Sequence, residues 1–568
     1  MGKPPLRKYF NPLWFVFLTA FVFCVSFLFL DYYLTLTDRR ITILLLNTND
    51  AKHSQLSKPS SFSVDFSETN GCPIKTSHYT NQNNVTDRAS NIPRCVDNVE
   101  LVTKVHTNNL DPCSGKYIYV YDLPSRFNED LLKGCHSLSK WVDMCPYMSN
   151  LGLGPKVIEK SNEEVLLNGS WYATNQFSLE VIFHNTMKHY KCLTNDSSLA
   201  SAIYVPYYAG LDVGQYLWGF NVSTRDASPK ELVKWLAQQP EWKRMLGRDH
   251  FIVGGRIGSD FRRMTDTEKK HDWGTKLMFL PEASNMSMLL IESVASYDND
   301  FPIPYPTYFH PSKDMEIFQW QQRMRIVKRP YLFSFAGAPR PSSSSSMRND
   351  IIKHCQSSRS CNFLGCFDGN CDDPVHVMKV FQSSVFCLQP PGDSFTRRST
   401  FDSILAGCIP VFFDPRSAYD QYLWHFPENG SSYSVYIPES DVKGKRVMIN
   451  ETLSMVSESE VLAMREEVIK LIPRIIYRDP SSSLETIEDA FDIAVKGILG
   501  RIEALRRDIT NVNNSVLYPE LYHNLLFKIQ FNICDPRFEN GIHLLGKSMT
   551  SFDVNKHHFT LTGYIKCF

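Results

Sequence analysis

Short apolar runs and longer amphipathic stretches alternate along most of this chain. Helical spacing is found over 176–190, 230–239 and 459–475. After a proline-rich crossing over 301–330, a second set of apolar runs begins. The predicted strands are YIYVYDL (117–123), AIYVPYY (202–208), HFIV (250–253) and KLMFL (276–280), then YLFSFAG (331–337), SVFCLQP (384–390) and CIPVFFD (408–414). Strands that alternate with helices predict parallel, wound α/β sheets, so we expect two such domains, over 113–310 and 311–482.

The most regular helical period lies near the end of the chain. One stripe at 3.6-residue spacing contains Leu484, Ile487, Phe491, Ala494, Ile498, Ile502 and Leu505. It predicts a helix over 484–505 within a bridging segment over 483–507 that can pack on both domains. Residues 508–568 fit neither domain and stay unassigned.

The N-terminus contains an 18-residue run without a charge, Leu13 to Leu30. This is just long enough to cross a bilayer as a helix. A cleaved signal peptide is the alternative, but no small-x-small cleavage site follows the apolar core. We therefore expect a cytoplasmic tail over 1–12, a transmembrane signal anchor over 13–30 and a polar stem over 31–112.

Glycosylation sequons indicate the orientation of the chain in the membrane. Eight N-x-S/T triplets without a central proline follow the predicted anchor, at Asn84, Asn168, Asn195, Asn221, Asn285, Asn429, Asn450 and Asn513. Most of the 15 cysteines also follow it, and a lumenal compartment permits disulfides. The pattern predicts a single-pass type II protein, and the short, Phe-rich span favours the Golgi membrane.

Composition excludes one broad class of function. The 568 residues include 60 Lys+Arg and 60 Asp+Glu, for a formal net charge of zero. A general nucleic-acid binder needs an excess of basic charge, so we expect no nucleic-acid partner. A local basic pocket for one phosphorylated small molecule remains compatible with this balance.

The stretch 385–414 has the most informative pattern of residues. Its first strand ends at a turn with Gly392 and Ser394, and Arg397 and Arg398 then open a helix. Free N–H groups at a helix start, with two guanidinium groups, suit a diphosphate. Asp402, one turn further on, can accept hydrogen bonds from a ribose diol. The alternative is a solvated helix start in which Asp402 is an ordinary i,i+4 ion-pair partner.

This stretch resembles the nucleotide-sugar signature of the exostosin family, glycosyltransferase family 47. Further segments, among them CSGKYIYVYDLPSRFNEDLL, VPYYAGLDVGQYLWG and FPIPYPTYFHPSK, resemble the plant xyloglucan galactosyltransferase clade of that family, from about Cys113 to about Ile509. The resemblance implies a GT-B fold, with two Rossmann-like domains facing a cleft. It also implies an inverting enzyme that transfers a sugar from a UDP-sugar to xyloglucan side chains.

The resemblance also implies roles for individual residues. The donor site would contain Gly392, Ser394, Arg397, Arg398 and Asp402, and Arg340 would reach the same phosphates unless it is an ordinary loop arginine. Inverting transfer needs a base for the acceptor hydroxyl, for which Asp212 and Asp260 are alternative candidates.

Three groups of residues suggest a metal site, but each has a more ordinary explanation. Glu180 and His184 lie four residues apart on a predicted helix. Asp298 and Asp300 match a D-x-D pattern but do not follow a buried strand. Two local disulfides are the favoured explanation for a cysteine cluster at Cys355, Cys361, Cys366 and Cys371, whereas Cys387 and Cys408 are expected to be small core residues. We therefore expect no metal and no other cofactor.

The sequence leaves the donor sugar open. Galactose is the favoured group, with galacturonic acid or arabinose on a related wall glycan as alternatives. A lectin-like subunit without activity and a glycoside hydrolase are the rival functions. An acceptor groove would use aromatic side chains such as Trp141, Trp171, Trp218, Tyr207 and Tyr208. Expected partners are the UDP-sugar, xyloglucan, the Golgi membrane and other wall-glycan transferases.

Overall fold

The computed structural model describes residues 111–159, 164–167, 169–266, 273–294, 296–340, 346–367 and 369–514, with side chains up to residue 510. The predicted cytoplasmic tail and anchor, nearly all of the stem, and residues 515–568 lie outside these ranges. No helix among the described residues is long and apolar enough to cross a membrane. The predicted anchor and type II orientation therefore stay predictions.

The described strands form two five-stranded parallel sheets. The first sheet has the order β1-β2-β3-β4-β5. Its strands are β1 (Tyr117–Val120), β2 (Ala200–Val205), β3 (His250–Ile257), β4 (Ser287–Glu292) and β5 (Asp300–Pro302). All of its strand pairs are parallel, as the alternating pattern predicts for wound α/β domains.

The second sheet has the order β10-β9-β8-β6-β7. Its strands are β6 (Tyr331–Gly337), β7 (Cys361–Gly365), β8 (Ser384–Gln389), β9 (Ile409–Phe412) and β10 (Val435–Tyr436). The chain builds outward on one side of β6 to reach β7 and then on the other side from β8 onward. The strand order therefore reverses between β6 and β8, and ligands of open α/β sheets bind at the carboxyl ends beside such a switch point.

Helices cover the sheets and connect their strands. In the first domain they are α1 (Glu129–Lys133), α2 (Leu179–Met187), α3 (Ala209–Tyr216), α4 (Val222–Arg225), α5 (Ala227–Leu236) and α6 (Pro240–Met245). The rest are α7 (Asp314–Ile326), α8 (Met347–Ser357), α9 (Pro374–Gln382), α10 (Arg398–Leu405), α11 (Glu439–Lys443), α12 (Ile449–Ser454), α13 (Glu458–Ile475) and α14 (Ala490–Asn514). Two five-stranded parallel sheets in sequence, each with its helices, have the GT-B-like arrangement that the sequence predicts.

One predicted strand is wrong. KLMFL at 276–280 contains a short 3₁₀ turn, Leu277–Phe279, whose first two residues are buried in a local core. The strand lies instead at β4, where all six residues are buried. Such a strand is covered on both faces and shows no apolar/polar alternation, so periodicity alone could not distinguish it from other short apolar runs.

The terminal helix begins at Ala490 rather than at residue 484. Asp489 stands before its first turn and accepts a hydrogen bond from the Asp492 amide at 3.0 Å. Upstream, the amides of Glu485 and Thr486 donate to the Asp314 carboxylate at 3.0 and 2.7 Å. Asp314 therefore binds the amides of residues 485–486, and Asp489 caps the helix that follows. The spacing of apolar residues contains no information about these polar contacts, so it placed the helix start too early.

Helix α14 packs on the first domain. The Phe491 and Phe183 rings lie 4.7 Å apart between centroids. Arg506 donates to the Ala200 carbonyl at 3.2 Å. The same helix also contacts α13 of the second domain. It therefore ties the two domains together.

All ten described cysteines form disulfides. The pairs are Cys113–Cys192, Cys135–Cys145, Cys355–Cys361, Cys366–Cys371 and Cys387–Cys408. Two local disulfides in the 355–371 cluster confirm the prediction. Cys387 and Cys408 are buried in the core as expected. They also form a disulfide, which the sequence did not predict, because β8 and β9 are neighbours and bring the two sulfurs together.

Among the described sequons, Asn195, Asn221 and Asn429 are exposed. Asn285 is half-buried and its Nδ2 donates to the Leu246 carbonyl at 2.9 Å, which competes with glycosylation at that nitrogen. Asn450 is also half-buried. Asn84 and Asn168 lie outside the described residues, as does the side chain of Asn513. Use of the eight sequons stays a prediction.

Candidate functional site

Glu292, the last residue of β4, joins the carboxyl ends of the two sheets. It is buried, and its carboxylate accepts four hydrogen bonds from the turn that follows β8. The donors are Ser394 Oγ at 2.6 Å, Thr396 Oγ1 at 2.7 Å and the backbone amides of Phe395 and Thr396 at 3.2 and 3.1 Å. Sequence reasoning missed Glu292. Its only signal in the sequence is an acid directly after the apolar run MLLI.

The turn around Gly392 lies at the switch point between β6 and β8. A Cβ added at Gly392 would lie 3.2 Å from Cγ of Arg397 and 3.5 Å from Nη2 of Arg348. Arg340 follows β6 and donates to the Gly392 carbonyl and to the Asp393 carboxylate. The turn is therefore surrounded by three guanidinium groups, of which the sequence predicted two.

Arg397 is buried close to other positively charged side chains. Burial, reinforced by the positive charges of Arg348 and Arg340, lowers the pKa of Arg397 to about 9, and Asp393 opposes this shift. Its Nη2 donates to the Ala336 carbonyl at 2.9 Å, but its buried Nη1 has no hydrogen-bond partner among the described residues. A phosphate at this turn would supply the missing acceptor and counter-charge.

Arg348 lies in the first turn of α8 and was not predicted. Burial and the neighbouring Arg340 lower its pKa, while Asp393 raises it. Its buried Nε also has no partner within the described part of the chain. The sequence alone did not indicate Arg348, because the preceding serine run resembles a simple linker and not part of a binding site.

Arg398 and Asp402 form a buried pair rather than a solvated helix face. Arg398 Nε lies 3.5 Å from Asp402 Oδ2, and the side chains are 13% and 4% exposed. Arg398 Nη1 donates to the Thr174 carbonyl at 2.5 Å, and its Cζ lies 3.7 Å from the centre of the Tyr308 ring. The i,i+4 pair thus exists, but the guanidinium also reaches the first domain.

Asp402 keeps one polar atom without a partner. Its Oδ1 is buried and makes no hydrogen bond with any described residue. Burial raises the pKa of Asp402 to about 6, against the lowering effect of Arg398. An unsatisfied buried carboxylate oxygen one turn into the helix is compatible with the predicted hydrogen bond to a ribose hydroxyl.

The two candidate bases lie in different surroundings. Asp260 follows β3 and accepts from Trp273 Nε1 at 3.1 Å, with Arg256 Nη1 at 3.8 Å. Burial raises its pKa to about 6; Arg256 and Trp273 lower it, and the negative charge of Glu292 raises it. Ile257 pairs with Glu292 across β3 and β4, so Asp260, three residues later, lies at the same edge as the turn that Glu292 holds.

Asp212, in α3, faces the interior of the first domain. It accepts a hydrogen bond from Tyr207 at 2.5 Å. Burial raises its pKa to about 6, and hydrogen bonds from Tyr207 and Ser228 lower it. Tyr207 packs in a local core with Phe127 and Val213. These contacts are with residues of the first domain.

The two carboxylate groups that suggested metal sites have protein partners. Buried Glu180 accepts from the backbone amides of Gly210, Leu211 and Gly255, and burial raises its pKa to about 7. His184 Nδ1 lies 2.9 Å from the Tyr208 hydroxyl. Buried Asp300 pairs with Arg262 at 2.6 Å. Each group therefore stabilises the local fold.

The predicted aromatic residues divide into two sets. Trp171, Tyr207 and Tyr208 are buried in cores, so the structure does not place them in a groove. Trp141 and Trp218 are 80% and 41% exposed, with ring centroids 6.4 Å apart. A third exposed tryptophan, Trp273, had not been predicted to take part.

Comparison with known families decides the class of this site. The profile described as "Exostosin GT47 domain" matches residues 112–453. This chain belongs to the exostosin GT47 family. The matched range contains both sheets of the GT47 fold and every donor-site and base candidate named above.

Relatives in Arabidopsis thaliana are similar over most of the chain. "Probable xyloglucan galactosyltransferase GT12" is 50% identical over 505 residues, 87% of this chain and 93% of that protein. "Xyloglucan galactosyltransferase MUR3" is 56% identical over 408 residues, 72% of this chain and 65% of that protein.

A solved structure of a pneumococcal O-GlcNAc transferase, GtfA, with UDP and GlcNAc is 11% identical, with a TM-score of 0.23 over 50% of this chain and 60% of that one. That score is too low to bear on this chain, so the description of the fold rests on its own two sheets.

Proposed function

We propose that this GT47 chain transfers galactose, with inversion, from UDP-galactose to a side-chain sugar of xyloglucan. The observation that carries the proposal is the cluster of three guanidinium groups at the Gly392 turn, beside the β6–β8 switch point. Relatives named as xyloglucan galactosyltransferases, at 50–57% identity, support the sugar and the acceptor. "Xyloglucan-specific galacturonosyltransferase 1" is 44% identical, which favours galactose over galacturonic acid.

The donor's diphosphate lies at the Gly392 turn in this proposal. Arg348 and Arg397 donate to its oxygens through the buried nitrogens that lack protein acceptors. Arg340 contributes charge but shares its guanidinium with Asp393. Asp402 accepts from the ribose. Ser394 and the nearby amides are already bound to Glu292, so they shape the turn rather than bind the nucleotide.

Asp260 is the proposed base. The Asp260 carboxylate takes the proton of the acceptor hydroxyl as that oxygen attacks the anomeric carbon. The bond from this carbon to the diphosphate oxygen breaks, and UDP leaves with the electron pair. A carboxylate with a pKa near 6 is ionised at neutral pH yet is a stronger base than an ordinary aspartate.

The arginines supply the charge that stabilises the leaving diphosphate, so we propose that no metal is needed. Fixed guanidinium groups at the position where charge develops perform the role that a divalent cation performs elsewhere. Addition of a chelator should leave the initial rate unchanged. A strict requirement for Mn²⁺ would contradict this part of the proposal.

We also propose a Golgi location with the two sheets in the lumen. The uncharged run 13–30, the sequons and the five disulfides support an oxidising, glycosylating compartment. Tagged full-length protein should co-localise with Golgi markers and lose mass on endoglycosidase treatment. A cytosolic, unglycosylated protein would contradict this location.

The direct test uses the full-length protein with a xyloglucan oligosaccharide and UDP-galactose, UDP-galacturonic acid or UDP-arabinose in separate reactions. Mass spectrometry should show the gain of one hexose with UDP-galactose, and NMR should show the β-anomer. No product with UDP-galactose would overturn the proposal. Product with another donor would retain the transferase class and change the sugar.

A further inference from the structure

Three tryptophans on the first domain are exposed; two of them are neighbours and the third contacts Asp260. Trp141, Trp218 and Trp273 are 80%, 41% and 41% exposed, whereas the other tryptophans among the described residues are more buried. Exposed indoles are costly to leave in water, and a group of them indicates a binding surface. We call these three residues the tryptophan track.

The inner end of the track contacts the proposed base. Trp273 donates its Nε1 hydrogen to Asp260 at 3.1 Å. The next residue, Gly274, donates to the carbonyl of Leu217, the residue before Trp218, at 3.2 Å. A Cβ at Gly274 would lie 2.3 Å from the Asp260 carbonyl, so the segment can approach Asp260 only because glycine follows Trp273.

A disulfide and a hydrogen bond restrain the backbone at the outer end of the track. The Cys135–Cys145 disulfide closes the loop that contains Trp141. Lys140 donates to the Trp218 carbonyl at 2.8 Å and lies 4.5 Å from the centre of the Phe220 ring. An ordered aromatic surface loses little conformational entropy on binding, which favours affinity.

The angle between the outer indoles suggests what they recognise. The Trp141 and Trp218 planes meet at 73° with centroids 6.4 Å apart. Two nearly perpendicular faces cannot both stack on one flat ribbon of sugar rings. They suit a branched glycan, in which a backbone ring and a branch sugar present apolar faces in different directions.

We propose that the tryptophan track is the acceptor subsite, and that Trp218 and Trp141 together recognise a branched, neutral β-glucan oligosaccharide. One indole stacks on a backbone glucosyl ring and the other on a xylosyl branch. Trp273 lies beside the sugar whose hydroxyl reaches Asp260. The identity of the acceptor rests on the proposed function, whereas the existence of a glycan-binding surface does not.

The test measures glycan binding without any nucleotide sugar. Full-length protein is titrated by calorimetry with a branched xyloglucan oligosaccharide and with an unbranched gluco-oligosaccharide of the same backbone length. Trp141→Ala and Trp218→Ala should each raise the Kd for the branched ligand about three- to tenfold. Only one of the two should raise the Kd for the unbranched ligand. Phe318→Ala, an exposed aromatic on α7, is the control and should change neither.

Steady-state kinetics separate this inference from the proposed function. In the active enzyme, Trp141→Ala and Trp218→Ala should raise KM for the acceptor and leave kcat and the KM for UDP-galactose unchanged. If no donor sugar is transferred but the variants still lose glycan binding, the track stands and the galactosyltransferase proposal fails. Wild-type affinity for the branched ligand in both variants would contradict the proposal that the tryptophan track binds the acceptor.

Discussion

The carboxyl ends of the two sheets differ in the charged groups that they present. Beyond the first sheet lie carboxylates with protein partners, among them Glu292 with four donors and Asp260 with Trp273. Beyond the second sheet lie Arg348 and Arg397, which retain buried nitrogens without acceptors among the described residues. In the proposed mechanism the first edge supplies the base, and the arginines beyond the second sheet supply donors for the nucleotide.

Loss of the base should have the largest effect. Asp260→Asn removes the proton acceptor and should lower kcat about 10³-fold, within the range that general bases contribute, while UDP affinity stays unchanged. Product formation by mass spectrometry and UDP calorimetry measure the two quantities.

Asp212→Asn is the matched control for that variant, because Asp212 is equally buried and its pKa is also raised to about 6. It should change kcat by less than about threefold in the folded protein, since it contacts Tyr207 rather than the cleft. A large loss in Asp212→Asn with activity retained in Asp260→Asn would reverse the assignment.

The next largest effect is expected for the arginines beyond the second sheet. Arg397→Ala and Arg348→Ala should each raise the Kd for UDP about 10- to 100-fold, as expected for loss of charge-assisted hydrogen bonds. Arg340→Ala should have a smaller effect because Asp393 already occupies that guanidinium. Calorimetry with UDP measures all three.

Arg325→Ala, which breaks an exposed pair with Glu466, is the control for the arginine series and should bind UDP normally. If Arg348→Ala and Arg397→Ala also bind UDP as the wild type does, the contrast between the two edges has no functional meaning.

The pH profile should show which carboxylate governs the rate. Asp260 accepts a proton only when ionised, so kcat/KM should fall about tenfold per unit as pH falls below its pKa of about 6 and level off above it. Trp273→Phe removes a hydrogen bond that lowers this pKa and should move the acid limb to higher pH. An unmoved limb would assign it to another group, such as Asp402.

Loss of the Glu292 hydrogen bonds, which join the two sheets, should have the smallest effect. Glu292→Gln leaves one carbonyl oxygen for four donors and should destabilise the protein by about 2 kcal/mol, seen as a lower Tm. Glu466→Gln, in an exposed ion pair, should cost at most about 1 kcal/mol. Equal Tm values for the two variants would show that Glu292 does not hold the turn.

Local patterns in the sequence predicted the scaffold but only part of the site. YLFSFAG is β6 at 331–337 as predicted, and the turn at Gly392 follows a buried strand, because these features depend on neighbouring residues. Arg348, Glu292 and Trp273 come from three separate segments, and only folding brings each beside a predicted residue. Pairing of Cys387 with Cys408 likewise depends on which strands become neighbours.

The GT47 account depends most on where the nucleotide's diphosphate binds. A crystallographic or cryo-EM map of the full-length protein with UDP tests this directly. We expect phosphate density within hydrogen-bond distance of Arg348 and Arg397 at the Gly392 turn, with the ribose beside Asp402. Density for UDP elsewhere, such as the groove lined by Trp424 and Arg501, with that turn empty, would contradict it.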